Sequence, residues 1–244
     1  MNMSSQSPGE GRIVIVTGAR RGIGRGVAEH LLKRGYRVAG VARSTDCWSA
    51  PGFSYRPMDV CDERQVRTTF SGIRKEEGEV YGLVHCAGQG PITNHSMLMP
   101  STTMNRFLEQ NVVGTFIVNR EVAKLLRRSG VGRIVNTSSV AVPLALKGDG
   151  AYVASKRAVE RMSQVMAREL APLGITVNLV GPGPIPTDGL ARVPEEQLQE
   201  TVAALPIPGF GRVEDVANVV DFFLDPKSDA ISGQVVYLSG VANV

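Results

Sequence analysis

The sequence predicts an α/β fold in which a parallel sheet is covered by helices on both faces. Residues 13–16 are Ile-Val-Ile-Val, apolar without alternation, as in a strand buried on both faces. Hydrophobic residues make up 43% of the 244 residues and aromatic residues only 5%, so we expect an aliphatic core of the kind that parallel strands form. Strand patterns alternate with helical patterns along the chain, which indicates crossover connections between parallel strands.

Three glycines, Gly18, Gly22 and Gly24, follow the first strand and precede a helical pattern over residues 25–34 that ends at Gly35. A strand, a glycine turn and a helix are what a dinucleotide loop needs. Glycine lets backbone N–H groups approach a pyrophosphate, and the helix N-terminus supplies free donors and a favourable dipole. An ordinary βα turn is the alternative interpretation of the glycines alone.

The remaining elements follow in order, and Asp62 is expected to cap the second helix. We predict further strands at 36–42, 53–58, Val80–His85, Gly132–Thr137, 175–180 and 234–238, and helices at Glu63–Glu77, 103–128, 152–170, 195–204 and 212–224. These elements predict a single Rossmann-type domain over residues 12–244, doubly wound, with about seven parallel strands. Residues 1–11 are polar and predict a flexible tail, and the proline-containing stretch 188–210 predicts a short lid over the substrate.

Composition and charge exclude several classes of protein. The net charge of +4 is modest and the basic residues are scattered, so no nucleic-acid stripe is present. Residues 1–11 lack the apolar region of a signal peptide, and no apolar run approaches transmembrane length. Cys47, Cys61 and Cys86 lack metal-ligand spacing. We therefore expect a reduced, cytoplasmic protein without disulfides, metal, nucleic-acid partner or membrane contact.

The second strand ends at Ala42 and Arg43, where a doubly wound sheet faces the adenosine ribose of a dinucleotide. An acidic residue here would bind the 2′-hydroxyl of NAD, whereas an arginine pairs with a 2′-phosphate. Arg20 or Arg21 of the glycine loop can add a second positive charge. The sequence therefore predicts NADP(H), with a solvated loop arginine as the alternative interpretation of Arg43.

Three residues predict carbonyl chemistry. Tyr152 and Lys156 are four apart, so on a helix they share one face. An ammonium group nearby would lower the phenol pKa from its usual value of about 10. Ser139, at the carboxyl end of a neighbouring strand, can hold a substrate carbonyl oxygen, whereas Ser138 faces the opposite side of an extended chain. With hydride from a nicotinamide, Tyr152 would supply the proton.

The Thr-Gly-x-x-x-Gly-x-Gly loop at 17–24, the Tyr-x-x-x-Lys pair and a serine thirteen residues before the tyrosine resemble the short-chain dehydrogenase/reductase family, over about residues 12–240. The resemblance implies that Asn111 opens a kink in its helix and holds a water that relays protons. A plain polar surface residue is the alternative for Asn111, although Asn and Gly within a helix are unfavourable. The resemblance also implies that Asp59 bonds the adenine amino group, with a turn or cap residue as the alternative.

Two segments depart from the family pattern. His85 and Cys86 stand where the family has two asparagines before Ala-Gly, so the hydrogen bonds that brace the sheet are replaced or missing. We interpret Cys86 as a small buried filler rather than a redox thiol. Residues 239–241, Ser-Gly-Val, stand where the family often has Asp-Gly-Gly, and this leaves the C-terminal packing open.

The candidate site residues fall into two sets. The catalytic set is Asn111, Ser139, Tyr152 and Lys156, of which Ser139 and Tyr152 also contact substrate. The cofactor-binding set is Gly18, Ala19, Arg20, Arg21, Gly22, Ile23, Gly24, Arg43, Asp59, Val60, Cys86, Ala87, Gly88, Tyr152, Lys156, Pro182, Gly183, Ile185 and Thr187, the last four from a stretch similar to the family's Pro-Gly-x-Ile-x-Thr.

The pattern looks most like the 3-oxoacyl-[acyl-carrier-protein] reductases, which reduce a carbonyl in fatty-acid or polyketide-type biosynthesis. Lys124, Arg127 and Arg128 are expected near the rim of the site, where they would dock an acidic carrier protein. A free ketone or cyclic alcohol is the alternative substrate, and a catalytically silent NADP-binding redox sensor is the rival from another class. In this family, helices such as 103–128 and 152–170 usually form a dimer interface, so a homodimer or homotetramer is expected.

Overall fold

Seven strands alternate with helices in the computed structural model, which describes residues 9–190 and 193–242. The strands are β1 (Ile13–Thr17), β2 (Arg37–Ala42), β3 (Phe53–Pro57), β4 (Val80–His85), β5 (Gly132–Thr137), β6 (Ile175–Gly181) and β7 (Val235–Tyr237). All neighbouring strands are parallel, in the order β3-β2-β1-β4-β5-β6-β7. The order reverses between β1 and β4, as in a doubly wound sheet, which confirms the predicted fold class.

Helices cover both faces of this sheet. They are α1 (Gly22–Lys33), α2 (Glu63–Glu77), α3 (Ser101–Phe107), α4 (Gly114–Leu126), α5 (Ala141–Leu144), α6 (Gly150–Leu170), α7 (Glu195–Ala203) and α8 (Val213–Leu224). Helices α1 and α8 pack together on one face, and α2, α4 and α6 pack on the other. Short 3-10 turns occupy Ser96–Leu98, Ala171–Leu173, Asp188–Leu190 and Pro226–Ser228.

The core has two apolar layers, one on each face of the sheet, and β1 contributes to both. Ile13 and Ile15 belong to one layer, and Val14 and Val16 to the other. All four side chains are buried. This two-sided burial is the reason that the strand shows no apolar–polar alternation in the sequence.

The predicted helix at 103–128 is wrong in one respect, because a π-helical segment, Leu108–Val113, separates α3 from α4. The wider turn carries Asn111 into the protein, where its side chain is buried. Gly114 begins α4 at a point where an added Cβ would lie 3.1 Å from a Val60 methyl. The helix is therefore interrupted at the Asn and Gly that made it unfavourable in the sequence.

Parts of two predicted segments lie outside the described residues. Of the predicted tail at 1–11, residues 1–8 lie outside them, whereas Gly9 accepts a hydrogen bond from Arg12 and Gly11 donates one to Gly35. Residues 191 and 192 of the predicted lid and residues 243 and 244 also lie outside them. None of the helices in the described part of the chain combines the length and apolarity that crossing a bilayer requires.

Candidate active site

A cavity of about 530 Å³ opens at the carboxyl edge of the sheet, where the strand order reverses. The cavity is lined by the glycine loop, by the ends of β2, β4, β5 and β6, and by the first turns of α6. Of the predicted site residues, those lining it are Gly18, Arg20, Arg21, Gly22, Ile23, Gly24, Arg43, Asp59, Val60, Cys86, Ala87, Gly88, Ser139, Tyr152, Lys156, Pro182, Gly183, Ile185 and Thr187. Ala19 and Asn111 do not line it.

The glycine loop between β1 and α1 brings backbone into close contact. Gly18 has a φ of +70°, and an added Cβ would lie 3.1 Å from the amide nitrogen of Ala87. A Cβ on Gly24 would lie 2.4 Å from the carbonyl oxygen of Gly18. Helix α1 starts with no capping side chain and no acidic residue in its first turn. Its free N–H groups therefore suit the pyrophosphate of a dinucleotide. The carbonyl of Ala19 instead accepts a hydrogen bond from Trp48 at 2.8 Å.

Arg20 and Arg43 lie at the end of the cavity beside β2, whereas Arg21 points to the segment after β6. Arg20 donates a hydrogen bond to the backbone carbonyl of Asp46 at 3.2 Å, and Arg21 pairs with Asp188 at 2.8 Å. Arg43 is exposed, and within the described residues its guanidinium makes no hydrogen bond or ion pair. A guanidinium left available at the ribose end of the cavity fits a 2′-phosphate.

Asp59 already has a structural role beside this end of the cavity. Its carboxylate accepts a hydrogen bond from the backbone N–H of Cys61 at 3.0 Å, which closes a turn. Asp62 caps α2 by accepting from Gln65 at 3.0 Å, as predicted. The turn interpretation of Asp59 is thus observed, and the residue also lines the cavity.

Thr17 compensates in part for the departure at His85. The Thr17 hydroxyl oxygen accepts hydrogen bonds from the backbone N–H groups of Cys86 at 3.1 Å and Ala87 at 3.0 Å. Its own proton is therefore available to Nδ1 of His85, 2.9 Å away, while Nε2 of this buried ring has no hydrogen-bond partner among the described residues. Burial, together with the charge of Lys156, lowers the pKa of His85 to about 3. Burial raises the pKa of the Cys86 thiol to about 12, which fits a filler rather than a redox thiol.

Tyr152, Ser139 and Lys156 converge on the cavity and are all buried. Both Tyr152 and Ser139 line the cavity, the Ser139 hydroxyl acts to lower the pKa of Tyr152, and Lys156 donates to the Thr137 carbonyl at 3.0 Å. The expected lowering of the Tyr152 pKa is not produced by the protein's own groups. Burial raises it to about 12, the Ser139 hydroxyl opposes the rise, and the charge of Asp149 adds to it. A raised pKa keeps the Tyr152 phenol in its neutral form at neutral pH.

Comparisons with known proteins agree with this geometry. A family model described as "Enoyl-(Acyl carrier protein) reductase" matches residues 18–240. The chain belongs to the short-chain dehydrogenase/reductase family. It is similar to the 3-oxoacyl-[acyl-carrier-protein] reductase FabG of Escherichia coli, with 34% identity over 240 residues, which are 95% of this chain and 97% of the relative.

Two solved structures illustrate the likeness of the folds. A short-chain type dehydrogenase/reductase from Mycobacterium ulcerans has a TM-score of 0.88 and 32% identity, and the match covers 95% of this chain and 90% of that one. A structure described as ElxO with NADP bound has a TM-score of 0.86 and 27% identity, covering 94% of this chain and 97% of that one. This short-chain dehydrogenase/reductase is therefore an oxidoreductase of a family that binds nicotinamide cofactors.

Asn111 of this short-chain dehydrogenase/reductase holds two parts of the site together. Its side-chain amide donates to the Gln89 carbonyl at 3.2 Å and to the Ser155 hydroxyl at 2.9 Å, and its oxygen accepts from the Gln89 N–H at 2.7 Å. Ser155 in turn donates to the Tyr152 carbonyl at 2.7 Å. The backbone carbonyl of Asn111 accepts from the Thr115 hydroxyl at 2.5 Å. Asn111 thus fixes the loop after β4 against the first turn of α6, and the plain surface interpretation is wrong.

The buried acidic residue Glu160 was not among the site residues predicted from the sequence. One oxygen of its carboxylate accepts from Ser138 and from the Tyr237 hydroxyl, the latter at 2.5 Å, and the other oxygen pairs with Arg157 at 3.0 Å. This network turns the Ser138 side chain away from Ser139, as the alternation of an extended chain predicts. Glu160 lies one helical turn after Lys156. This spacing could have predicted that Glu160 shares the buried face of the helix with Lys156.

The family stretch after β6 approaches the glycine loop. An added Cβ on Gly22 would lie 3.5 Å from Thr187, and Arg21 pairs with Asp188, so the start of the lid segment adjoins the start of α1. On its other side, a Cβ on Gly183 would lie 2.7 Å from the Ser239 hydroxyl. Ser239, the first of the departing residues at 239–241, therefore packs against Gly183 of the predicted nicotinamide stretch.

The basic cluster of Lys124, Arg127 and Arg128 does not lie at the rim of the cavity. Helix α4 starts at the carboxyl edge and has 13 residues, a length of roughly 20 Å. Arg127 and Arg128 follow its far end, just before β5 begins at the amino edge of the sheet. Lys124 also pairs with Glu121 at 2.6 Å. The predicted proximity is wrong because the direction and length of α4 carry the cluster away.

Proposed function

We propose that this short-chain dehydrogenase/reductase reduces a carbonyl to a secondary alcohol with NADP(H). The observation that carries this proposal is the convergence of buried Tyr152, Ser139 and Lys156 on a cavity that also contains the glycine loop. An intact proton donor, carbonyl-binding hydroxyl and cation argue against a catalytically silent redox sensor, because a sensor would have no need of them.

The roles of these side chains follow from their chemistry. A nicotinamide held by residues 182–187 would supply hydride to the carbonyl carbon. The Ser139 hydroxyl donates a hydrogen bond to the carbonyl oxygen, and Tyr152 passes its proton to that oxygen as negative charge develops. Burial raises the pKa of Tyr152 to about 12, which keeps the proton available for the reductive direction at neutral pH. Lys156 would bind the ribose hydroxyls, and Asn111 would hold the relay water that the family resemblance implies.

The choice of NADP(H) rests on Arg43. Its guanidinium is available beside the ribose end of the cavity, β2 ends without an acidic residue, and Arg20 adds charge nearby. Residues 18–24 would hold the pyrophosphate, Asp59 and Val60 the adenine, and residues 86–88 the ribose. Pro182, Gly183, Ile185 and Thr187 would hold the nicotinamide.

A 3-oxoacyl thioester is the first candidate substrate, because FabG of Escherichia coli is similar over nearly the whole chain. An acyl carrier protein would dock on Lys124, Arg127 and Arg128, and its flexible arm would have to cross the length of α4. Reversing the charges of Arg127 and Arg128 should raise the KM for a carrier-bound substrate without changing the KM for a short free thioester. An unchanged KM for the carrier-bound substrate would contradict the docking proposal.

A free ketone or cyclic alcohol is the second candidate. It is favoured by the buried carboxylate of Asp149 in the cavity wall, which an alkyl acyl chain could not satisfy, and by the distance of the basic cluster from the cavity.

A homodimer or homotetramer built through α4 and α6 is part of the proposal. Phe116 of α4, Val165 of α6 and Val113, which directly precedes α4, present apolar side chains that are exposed in the single chain. Sedimentation analysis of the wild type and of a Phe116→Glu, Val165→Glu variant tests the interface. A monomeric wild type would contradict it.

The test of the function is the oxidation of NADPH and of NADH, followed by absorbance, with an acetoacetyl thioester and with a panel of free ketones. Turnover of the thioester with NADPH and not NADH supports the first candidate and the role of Arg43. NADPH turnover with the ketones alone supports the second candidate. Binding of NADPH without turnover of any carbonyl would contradict the proposed reduction.

A further inference from the structure

Asp149 stands at the N-cap position of α6 without acting as a cap. Aspartate at this position normally accepts a hydrogen bond from a first-turn N–H. The Asp149 side chain makes no such bond, although its backbone carbonyl accepts from Val153 at 2.8 Å. The Asp149 carboxylate therefore does not cap α6.

The Asp149 carboxylate is buried with little compensation. The residue is 7% exposed, and it lines the cavity together with Tyr152 and Gln197. Among the described residues, the one hydrogen bond to its carboxylate is a long contact of 3.5 Å from the Gln197 amide, and no cation pairs with it. Burial raises its pKa to about 6. A buried carboxylate with one weak donor is under-satisfied, so it can take a further donor from a ligand.

The surrounding backbone holds Asp149 in place. The preceding Gly148 has a φ of +86°, and its carbonyl accepts from the Asn94 N–H at 3.0 Å. The Asp149 N–H bonds the Leu146 carbonyl at 3.3 Å, and Gln197 of α7 donates to the Lys147 carbonyl at 2.8 Å. The carboxylate is thus presented to the cavity by a fixed loop that is tied to the lid helix.

Asp149 lies three residues before Tyr152, so the two side chains are neighbours on the first turn of α6. Both residues line the cavity, and the charge of Asp149 contributes to the raised pKa of Tyr152. Side chains at this spacing have Cβ atoms about 5–6 Å apart. A donor that reaches Asp149 while the reacting carbonyl is at Tyr152 must therefore lie within a few bonds of that carbonyl.

We infer that Asp149 accepts a hydrogen bond from a hydroxyl group of the substrate, so that the enzyme selects ketones carrying a hydroxyl a few bonds from the reacting carbon. The inference rests on the proposed carbonyl reduction and names the substrate class within it. An unsubstituted acyl or alkyl chain would leave the carboxylate buried beside apolar atoms, and the enzyme would discriminate against it. Loss of a hydrogen bond by a buried polar group is a strong source of such discrimination.

The test compares ketones that differ by a hydroxyl in place of a methyl group. Suitable pairs are hydroxyacetone with 2-butanone, 4-hydroxy-2-butanone with 2-pentanone, and 3-hydroxycyclohexanone with 3-methylcyclohexanone, each with NADPH. For the best pair, we expect the wild type to favour the hydroxyl member at least about 10-fold in kcat/KM. Asp149→Leu should bring this ratio to about 1 or below, and Asp149→Asn, which keeps an acceptor oxygen, should give an intermediate ratio.

Asp229→Leu is the matched control, because it removes an exposed aspartate outside the cavity and should keep the wild-type ratio. The affinity for NADPH reports on folding of each Asp149 variant. A wild type that favours the methyl members, or an Asp149→Leu variant that binds NADPH and keeps the wild-type preference, would overturn the inference. Turnover of an acetoacetyl thioester but of none of the ketones would also overturn it while leaving the proposed carbonyl reduction intact.

Discussion

The ammonium group of Lys156 donates a hydrogen bond to the carbonyl oxygen of Thr137 at 3.0 Å, which fixes a buried cation of α6 against the last residue of β5. Burial lowers the pKa of Lys156 to about 8, and Cys86 and Glu160 oppose this shift. The fold alone therefore disfavours the charge that the proposed mechanism uses. Such a cost is expected of a functional group that is kept for chemistry rather than for stability.

Lys156→Met should lose activity and gain stability at pH 7. The pKa of the folded state lies below the ordinary value of 10.5, so protonation favours unfolding. The loss of folding stability caused by the buried ammonium is complete below about pH 8 and absent above about pH 10.5. After the lost hydrogen bond to Thr137 is allowed for, we expect the free energy of unfolding to rise by about 1–2 kcal/mol and kcat to fall at least ~100-fold.

Denaturant unfolding of the Lys156 variant at pH 7 and pH 9.5, beside NADPH turnover, checks this expectation. The gain in stability should be smaller at pH 9.5. Lys75→Met, at an exposed position of α2, is the control and should change neither quantity. A Lys156→Met variant that is less stable than the wild type at pH 7 would contradict the buried-charge account.

Arg43→Ala should weaken NADPH binding selectively. The guanidinium can pair bidentately with a 2′-phosphate and has no partner to release among the described residues. We expect the Kd for NADPH to rise at least about 10-fold, while the Kd for NADH changes less than about 2-fold. Fluorescence titration with both cofactors measures this. Arg67→Ala, an exposed arginine on α2, serves as the control, and an equal effect of Arg43→Ala on both cofactors would refute the 2′-phosphate contact.

His85→Asn should make the protein less sensitive to acid. The pKa of His85 falls from 6.5 to about 3 on burial. Between these two pH values, His85 is protonated in the unfolded chain and neutral in the folded chain. The folded protein keeps its full stability with respect to His85 above about pH 6.5. It loses free energy of unfolding progressively as the pH falls toward 3. We expect the wild type to lose roughly 1–2 kcal/mol more than the variant between pH 7 and pH 5.

Urea unfolding across this pH range measures the acid sensitivity. His95→Asn replaces an exposed histidine and should keep the wild-type profile. If His85→Asn retains the full acid-dependent loss, the buried neutral imidazole bonded to Thr17 is not its source.

The sequence was sufficient for the sheet and for the position of most candidate site residues. The uninterrupted apolar run of β1 and the glycines at 18–24 are local signals, and parallel strands bring their carboxyl ends to one edge whatever the loops do. The pair of Tyr152 and Lys156 needed only helical spacing to share a face.

The sequence did not predict features that depend on tertiary packing, such as burial and the direction of a side chain. The family resemblance placed a kink at Asn111, but periodicity over a long helix does not show that the interruption is a π-helical segment over Leu108–Val113. The rise in the Tyr152 pKa comes from burial, which the spacing to Lys156 does not reveal. Residues in the loop before α6 gave no sign that Asp149 would turn its carboxylate to the cavity instead of capping the helix.

Tyr152→Phe tests the central claim most directly, because the substitution removes one hydroxyl from a buried ring that packs against Phe107. The measurement is NADPH oxidation at saturating carbonyl substrate together with the Kd for NADPH. Loss of the proton donor should lower kcat by at least ~1,000-fold, while the Kd stays within about 3-fold of the wild type. A variant that binds NADPH and turns over within 10-fold of the wild type would contradict Tyr152 as the proton donor.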